Sequence, residues 1–297
     1  MRRSLGVALV QHPASSTRGH EELAAQLREL TAAHPAMTLW VYPELHLDSP
    51  KPHPPIEDLA RDLDSDPALL ALGALAKELG IWLVPGSVFE CAEDGRVYNT
   101  ALVFSPDGER VASYRKIFPW RPDETSAVGT SFEVVELPGI GKIGLSICYD
   151  IWFPEHTRHL AWGGAELVLN LVQTATSDRE QELAIVRGNA IMNQVWIASL
   201  NAAAPTGRGR SLVVDPDGAV RASSPDASSE VLTAVVDLGQ VAEVREFGTA
   251  GVSRPWAQFR EGDPAIPLPL YSGSITPSTW EPGSPGVSAP ESTETRA

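Results

Sequence analysis

Apolar positions along the chain follow two rhythms. Short runs rich in Val, Ile and Leu, such as SLGVALVQ from Ser4 and GKIGLSIC from Gly141, have the length and composition of buried strands. Between them lie stretches whose apolar residues recur every three or four positions. GHEELAAQLRELTAAH, from Gly19, is the first such helix, with Ser16 or Thr17 placed to cap it. Residues 56–80 read as helix on both sides of Pro67, with Asp66 capping the second piece and Gly80 stopping it. TLWVYPEL, IWLVPGSVFE, VYNTALVFSPDGERVASYRK and SFEVVELP supply further strands.

From Pro154 onward the order is helix (PEHTRHLAWGGA), strand (AELVLNLV), helix (REQELAIVRGNAIMNQ) and strand (VWIASLNA). A hairpin (RSLVVDPDGAVRASS), a strand (VLTAVVDL) and a short helix at 239–247 complete it. Pro-Asp-Gly turns sit at the centre of two hairpins, ALVFSPDGERVASY and SLVVDPDGAVRASS. That repetition divides the chain into two similar halves of βα units plus an antiparallel hairpin. The expected class is α/β, with sheets covered by helices. From residue 264 the composition changes to Pro, Ser, Gly, Thr and Glu, too polar to fold alone. The expected division is a domain over 1–263 and a tail over 264–297, mobile or packed on a partner subunit.

Composition narrows the function. Hydrophobic content of 43% with 21% charged residues is that of a globular chain. A net charge of −15 argues against nucleic acid or an anionic membrane as partner. No apolar run approaches the roughly 20 residues that span a bilayer. MRRSLGVALVQHP carries two arginines and a short apolar run, but it enters a polar turn without a small-residue cleavage site and reads as a first strand. A cytoplasmic location is expected. The two cysteines, Cys91 in the polar turn ECAEDGR and Cys148, read as free thiols.

Cys148 ends a strand and precedes a helix that opens near Pro154, the junction where α/β folds present reactive groups. Position alone leaves two readings, a nucleophile or a buried structural cysteine. A thiol nucleophile needs a base and a cation nearby, because its ordinary pKa leaves little thiolate at neutral pH. Glu44 ends TLWVY just after Pro43, and Lys116 ends RVASYRK before IFPW. Taken singly, each also reads as a surface residue.

The three segments YPEL, YRKIFPWRPDE and GLSICYDIWFPE, in that order, resemble the nitrilase (carbon–nitrogen hydrolase) superfamily in its amidase-like branch. The resemblance runs from VALVQ to about residue 247. It implies a four-layer αββα sandwich with two pseudo-symmetric halves, assembled as a homodimer or higher homo-oligomer, without cofactor or metal. It further implies Glu44 as general base, Lys116 as cationic stabiliser, Cys148 as nucleophile and Glu124 as a second glutamate that orients substrate. Tyr149, Trp152, Trp120 and His46 flank these motifs and are assigned to substrate binding; Phe153 is a further neighbour. CYD is similar to amidase-type members, whereas nitrilases usually carry Cys-Trp-Glu. DIWFPE departs from the DIRFPE of omega-amidase-like proteins by placing Trp152 where they have arginine, and in that respect is nearer to carbamoyl-amine hydrolases.

The implied activity is hydrolysis of a small carboxamide to acid and ammonia through a thioester. Its rivals are hydrolysis of an N-carbamoyl amine, acyl transfer, nitrile hydrolysis and a non-catalytic binding role. Other features carry less. His156 and His159 lack a third metal ligand and read as solvent-facing. TGRGRS lacks the lysine of a P-loop, and no GxSxG elbow is present.

Overall fold

The computed structural model describes residues 3–15, 20–48, 54–268 and 273–275. Met1–Pro255 forms one compact unit and Trp256–Ala297 a second. That division falls ahead of the composition change at residue 264, and most of the expected tail lies outside the described residues, as do Ser16 and Thr17. No helix among the described residues is long and apolar enough to cross a membrane.

Two sheets carry the first unit. One is built from β1 (Ser4–Gln11), β2 (Leu39–Val41), β3 (Trp82–Val84), β4 (Ser87–Cys91), β5 (Val97–Phe104), β6 (Arg110–Arg115) and β13 (Glu230–Asp237). Its order is β13-β1-β2-β3-β5-β4, with β6 also pairing β5. The other contains β7 (Val134–Leu137), β8 (Gly141–Ile147), β9 (Leu167–Val172), β10 (Trp196–Asn201), β11 (Leu212–Val214) and β12 (Val220–Ser223), in the order β12-β11-β10-β9-β8-β7. Each sheet has a parallel centre and antiparallel edges.

The period-two alternation within β1 explains the layering. Val7 and Leu9 face a core shared with Leu145 and Ile147 of β8 and Leu169 and Leu171 of β9, so the sheets pack face to face. Ala8 and Val10 face the opposite way, onto Leu23 and Leu27 of α1 (His20–Ala33) and Leu69 and Leu72 of α3 (Pro67–Leu79). The second sheet is covered by α4 (Pro154–Trp162) and α5 (Arg179–Asn193), and Gly144 leaves room for Leu160 of α4. The result is the expected αββα sandwich. A fully buried leucine contributes roughly 1.5–3 kcal/mol, so a one-residue slip of β1 would reverse which residues meet the facing sheet and which meet the helices.

Local signals match their elements closely at several points. Asp66 Oδ1 accepts from Ala68 N at 2.9 Å and Leu69 N at 3.1 Å, and Gly80 turns left-handed at φ +64°. The rest of the 56–80 segment is shorter in helix than its pattern suggests, with α2 limited to Ile56–Leu59. Both Pro-Asp-Gly turns close alike. Gly108 N donates to Ser105 O and Gly218 N to Asp215 O, each at 2.9 Å. Gln11, at the polar end of β1, joins the two halves: its Oε1 accepts from Ser211 N and Oγ, and its Nε2 donates to Ser224 Oγ, Asp226 O and Ser228 O.

Candidate active site

Glu44, Lys116 and Cys148 each stand just beyond the end of a strand, and Glu124 lies in the loop between β6 and β7. TLWVYPEL is not strand throughout: β2 stops at Val41 and the chain turns at residues 44–47. Leu45 takes φ +47° and its N–H donates to Ser87 Oγ at 3.0 Å. Gly86 permits the turn, because a Cβ there would lie 2.0 Å from Pro43 O. Glu44 is thereby buried at the mouth of the sheet. Lys116 directly follows β6, held by its N–H to Asn99 O and by Gly129 N to its own carbonyl, each 2.8 Å. Cys148 follows β8 at φ +47°, a left-handed geometry unusual outside glycine, and opens the 3-10 turn Cys148–Trp152.

These turns bring the side chains together. Lys116 Nζ donates to Glu44 Oε1 at 2.9 Å and to Glu124 Oε1 at 2.6 Å, with no exposed side-chain surface. Glu44 is further fixed by Asn99 Nδ2 on Oε1 at 2.8 Å and by Gln173 N on Oε2 at 3.1 Å. Gln173 Nε2 also donates to Glu44 O at 3.1 Å. Burial alone would favour neutral Lys116, but the Glu44 and Glu124 carboxylates beside it hold the ammonium well above its ordinary pKa. Burial and the Glu44 carboxylate push the Cys148 thiol well up, against the pull of Lys116. The resting sulfur is therefore a thiol, and it needs a base to become a nucleophile. Burial, then Glu44, raise Glu124, again opposed by Lys116.

A buried aspartate that the sequence reading missed ties the lysine and cysteine turns together. Asp150 Oδ2 accepts from Ile147 N at 2.9 Å and from Tyr114 OH at 2.7 Å, while Oδ1 accepts from Phe118 N at 2.9 Å. Tyr114 OH also meets His156 Nε2 at 2.7 Å. His156 is thus fully buried, not solvent-facing, because its face of α4 packs toward the Cys148 turn. His159 is exposed and stacks on Phe132 at 4.4 Å between ring centroids. Among the described residues, no group of three His, Cys, Asp or Glu side chains is arranged to hold a metal ion.

Glu44, Glu124 and Cys148 open onto a cleft of about 410 Å³ whose walls include Tyr149, Trp152 and Trp120. Ile56 and Phe89 add apolar wall, and Asn99, Gln173 and Thr174 add polar groups. His46 corrects the expectation of a substrate contact. It does not line this cleft; its ring packs on Tyr42 at 4.8 Å and lines a separate pocket of about 140 Å³ with His12 and Gln26. Burial lowers its imidazole to about 3, so it stays neutral. The turn that aims Glu44 at the cleft sends the side chain two residues later elsewhere. Asn99 and Gln173 had a faint signal, as polar residues within or just beyond strongly apolar strands.

Comparison with known proteins identifies the family. An omega-amidase of Xenopus tropicalis is 34% identical over 192 residues, covering 59% of this chain and 68% of its own. A formamidase of Bacillus thuringiensis is 28% identical over 243 residues, covering 77% and 73%. Among solved structures, a cysteine-to-alanine mutant of the amidase from Nesterenkonia sp. AN1 in complex with butyramide superposes with a TM-score of 0.70 at 25% identity, covering 82% of this chain and 94% of its own. The carbon-nitrogen hydrolase family matches residues 6–246, and the chain belongs to that family, within the nitrilase superfamily.

Proposed function

We propose that the protein hydrolyses a small, uncharged carboxamide to a carboxylic acid and ammonia through a thioester on Cys148. One observation carries this: a fully buried ammonium, Lys116, is shared by Glu44 and Glu124, both of which line the cleft that holds the thiol. Glu44 takes the thiol proton as sulfur attacks the amide carbon. The tetrahedral oxyanion is held by the Lys116 ammonium and the Tyr149 backbone N–H. Glu44 then passes the proton to the departing nitrogen, leaving a thioester. The same carboxylate activates water, and hydrolysis regenerates the thiol. Glu124 Oε2, buried and without a hydrogen-bond partner, is free to accept from the substrate NH₂ while Oε1 stays on Lys116.

The cleft also bears on substrate charge. Among its described lining residues there is no arginine, lysine or histidine, while Asp123 and Asp178 stand with Glu44 and Glu124. Among the described lining residues a substrate carboxylate therefore finds no cationic partner. Trp152 as an apolar wall supports a second reading, hydrolysis of an N-carbamoyl amine by the same groups.

Ammonia release from purified protein over short aliphatic amides, aryl amides, carboxylate-bearing ω-amides, carbamoyl amines and nitriles tests both, with Cys148→Ala as control. Release from uncharged amides, abolished by Cys148→Ala, is expected. Release from carbamoyl amines alone, with carbon dioxide, supports the second reading, and silence across the panel refutes both.

A further inference from the structure

Glu44 has two side-chain oxygens, and the structure treats them differently. Oε1 accepts from Lys116 Nζ at 2.9 Å and from Asn99 Nδ2 at 2.8 Å. Among the described residues, Oε2 accepts from Gln173 N alone, at 3.1 Å. A carboxylate oxygen has two lone pairs, so Oε1 is filled and one site on Oε2 stays open. Gln173 Nε2 also donates to Glu44 O at 3.1 Å and fixes the main chain of the same residue. Held on both oxygens and at its carbonyl, the carboxylate cannot turn over to exchange Oε1 for Oε2.

Asn99 makes the difference between the two oxygens. It sits on β5, only 1% exposed, and its carbonyl accepts from Lys116 N at 2.8 Å. One residue thus holds the lysine by its main chain and the glutamate by its side chain. Turned over, the amide would set its own oxygen against the carboxylate, so the charge of Glu44 fixes Nδ2 as the donor. That orientation has a cost: Asn99 Oδ1 is buried with no hydrogen-bond partner. A leucine of similar volume would remove the orphaned oxygen, and Oε1 would keep Lys116. A polar group held in the core at the expense of the fold points to a role in the reaction.

We propose that Asn99 is a positioning residue for the general base: with Lys116 it occupies both sites of Glu44 Oε1, so the open site of Oε2 is where the Cys148 proton is taken. Glu44 as base is the premise carried over from the proposed function. As the S–C bond forms, the S–H bond breaks and an O–H bond forms on Oε2. The same proton passes to the departing nitrogen as the C–N bond breaks. In the second half, Oε2 takes a proton from the attacking water and returns it to the sulfur. Asn99 donates throughout, exchanges no proton and acts through Glu44.

The test compares kcat, KM and thermal melts of the parent, Asn99→Leu, Asn99→Asp and Glu44→Gln on one turned-over amide. Asn99→Leu is expected to melt at or above the parent yet lose about tenfold to a hundredfold in kcat, the size of one hydrogen bond to a charged group, with KM within about threefold. Asn99→Asp supplies a pH signature that packing alone would not produce. Its protonated carboxyl donates to Oε1 as the amide does, and its ionised form repels that oxygen, so its kcat relative to the parent falls as pH rises. Asn99→Leu with kcat within about twofold of the parent, or a ratio of Asn99→Asp to parent that stays level with pH, overturns the proposal. Should Asn99→Leu fail to fold, the Asn99→Asp ratio decides alone. Full turnover in Glu44→Gln would remove the base, and with it both this proposal and the function it rests on, whereas failure of the Asn99 variants alone leaves that function standing.

Discussion

Replacing Asp150 by asparagine keeps the shape of a buried hub while removing its charge and one acceptor. Asp150 receives three donors, Ile147 N at 2.9 Å, Tyr114 OH at 2.7 Å and Phe118 N at 2.9 Å. The least costly asparagine keeps its oxygen on Ile147 N and Tyr114 OH and turns its amide nitrogen to Phe118 N, where two donors then face each other. A buried donor left unsatisfied costs about 1–3 kcal/mol, and the two surviving bonds lose their charge-assisted share. Relief of the buried charge offsets part of this. The net loss is about 3 kcal/mol, and at ~2–4 °C per kcal/mol for chains of this class the melting temperature falls by roughly 6–12 °C. Activity falls further than stability alone requires. Phe118 N anchors the segment between Lys116 and Trp120, and Ile147 N anchors the turn of Cys148, so both sides of the reacting centre loosen together. The assay is a thermal melt by circular dichroism beside initial rates of ammonia release at 25 °C, where the variant is still folded. A melt within about 2 °C of the parent, with unchanged kcat, would refute the hub argument.

Three further outcomes follow from the same geometry. Because burial raises Glu124, kcat/KM falls on the acid side as that carboxyl takes up a proton, at a pH above that of an ordinary glutamate; Glu124→Gln removes this limb from the pH–rate profile and lowers kcat. The stability sign is the reverse: a carboxyl with a raised folded pKa stabilises the fold most at low pH and loses that contribution as pH rises through its folded pKa, so Glu124→Gln stabilises relative to the parent at neutral pH, as urea midpoints measured at pH 4 and pH 8 will register. His46→Gln leaves KM for amides unchanged within about twofold, since His46 lines a different pocket; a tenfold rise in KM would return it to the substrate site. Trp152→Arg places a cation in a cleft wall whose described residues have none, and is expected to raise kcat/KM for carboxylate-bearing ω-amides relative to uncharged ones by roughly tenfold, measured as a ratio on matched substrates.

Much of the fold is legible because its signals are local. The alternation in SLGVALVQ, the Asp66 cap, the Gly80 stop and the paired Pro-Asp-Gly turns each act within a few residues, and each appears where its chemistry puts it. Glu44, Lys116 and Cys148 were legible as a set of motifs, and the structure brings them together at strand ends. What the sequence hides are partners chosen across the fold. Asp150 looks like any acidic residue after a cysteine until Tyr114 and Phe118 arrive from the other sheet. Gln173 reaches Glu44, and Thr174 approaches the sulfur, only once β9 is packed. His46 and His156 were misplaced for the same reason: which way a turn or a helix face points is decided by packing, and neighbouring residues on one turn serve different pockets.

The central claim is a covalent acyl group on Cys148. Full-length protein mixed with a turned-over amide, quenched in acid within the steady state and weighed by mass spectrometry, is predicted to carry one acyl adduct that maps to the Cys148 peptide, is discharged by hydroxylamine and is missing from Cys148→Ala. Steady turnover with no adduct on that peptide, or amide hydrolysis that persists in Cys148→Ala, would contradict the account.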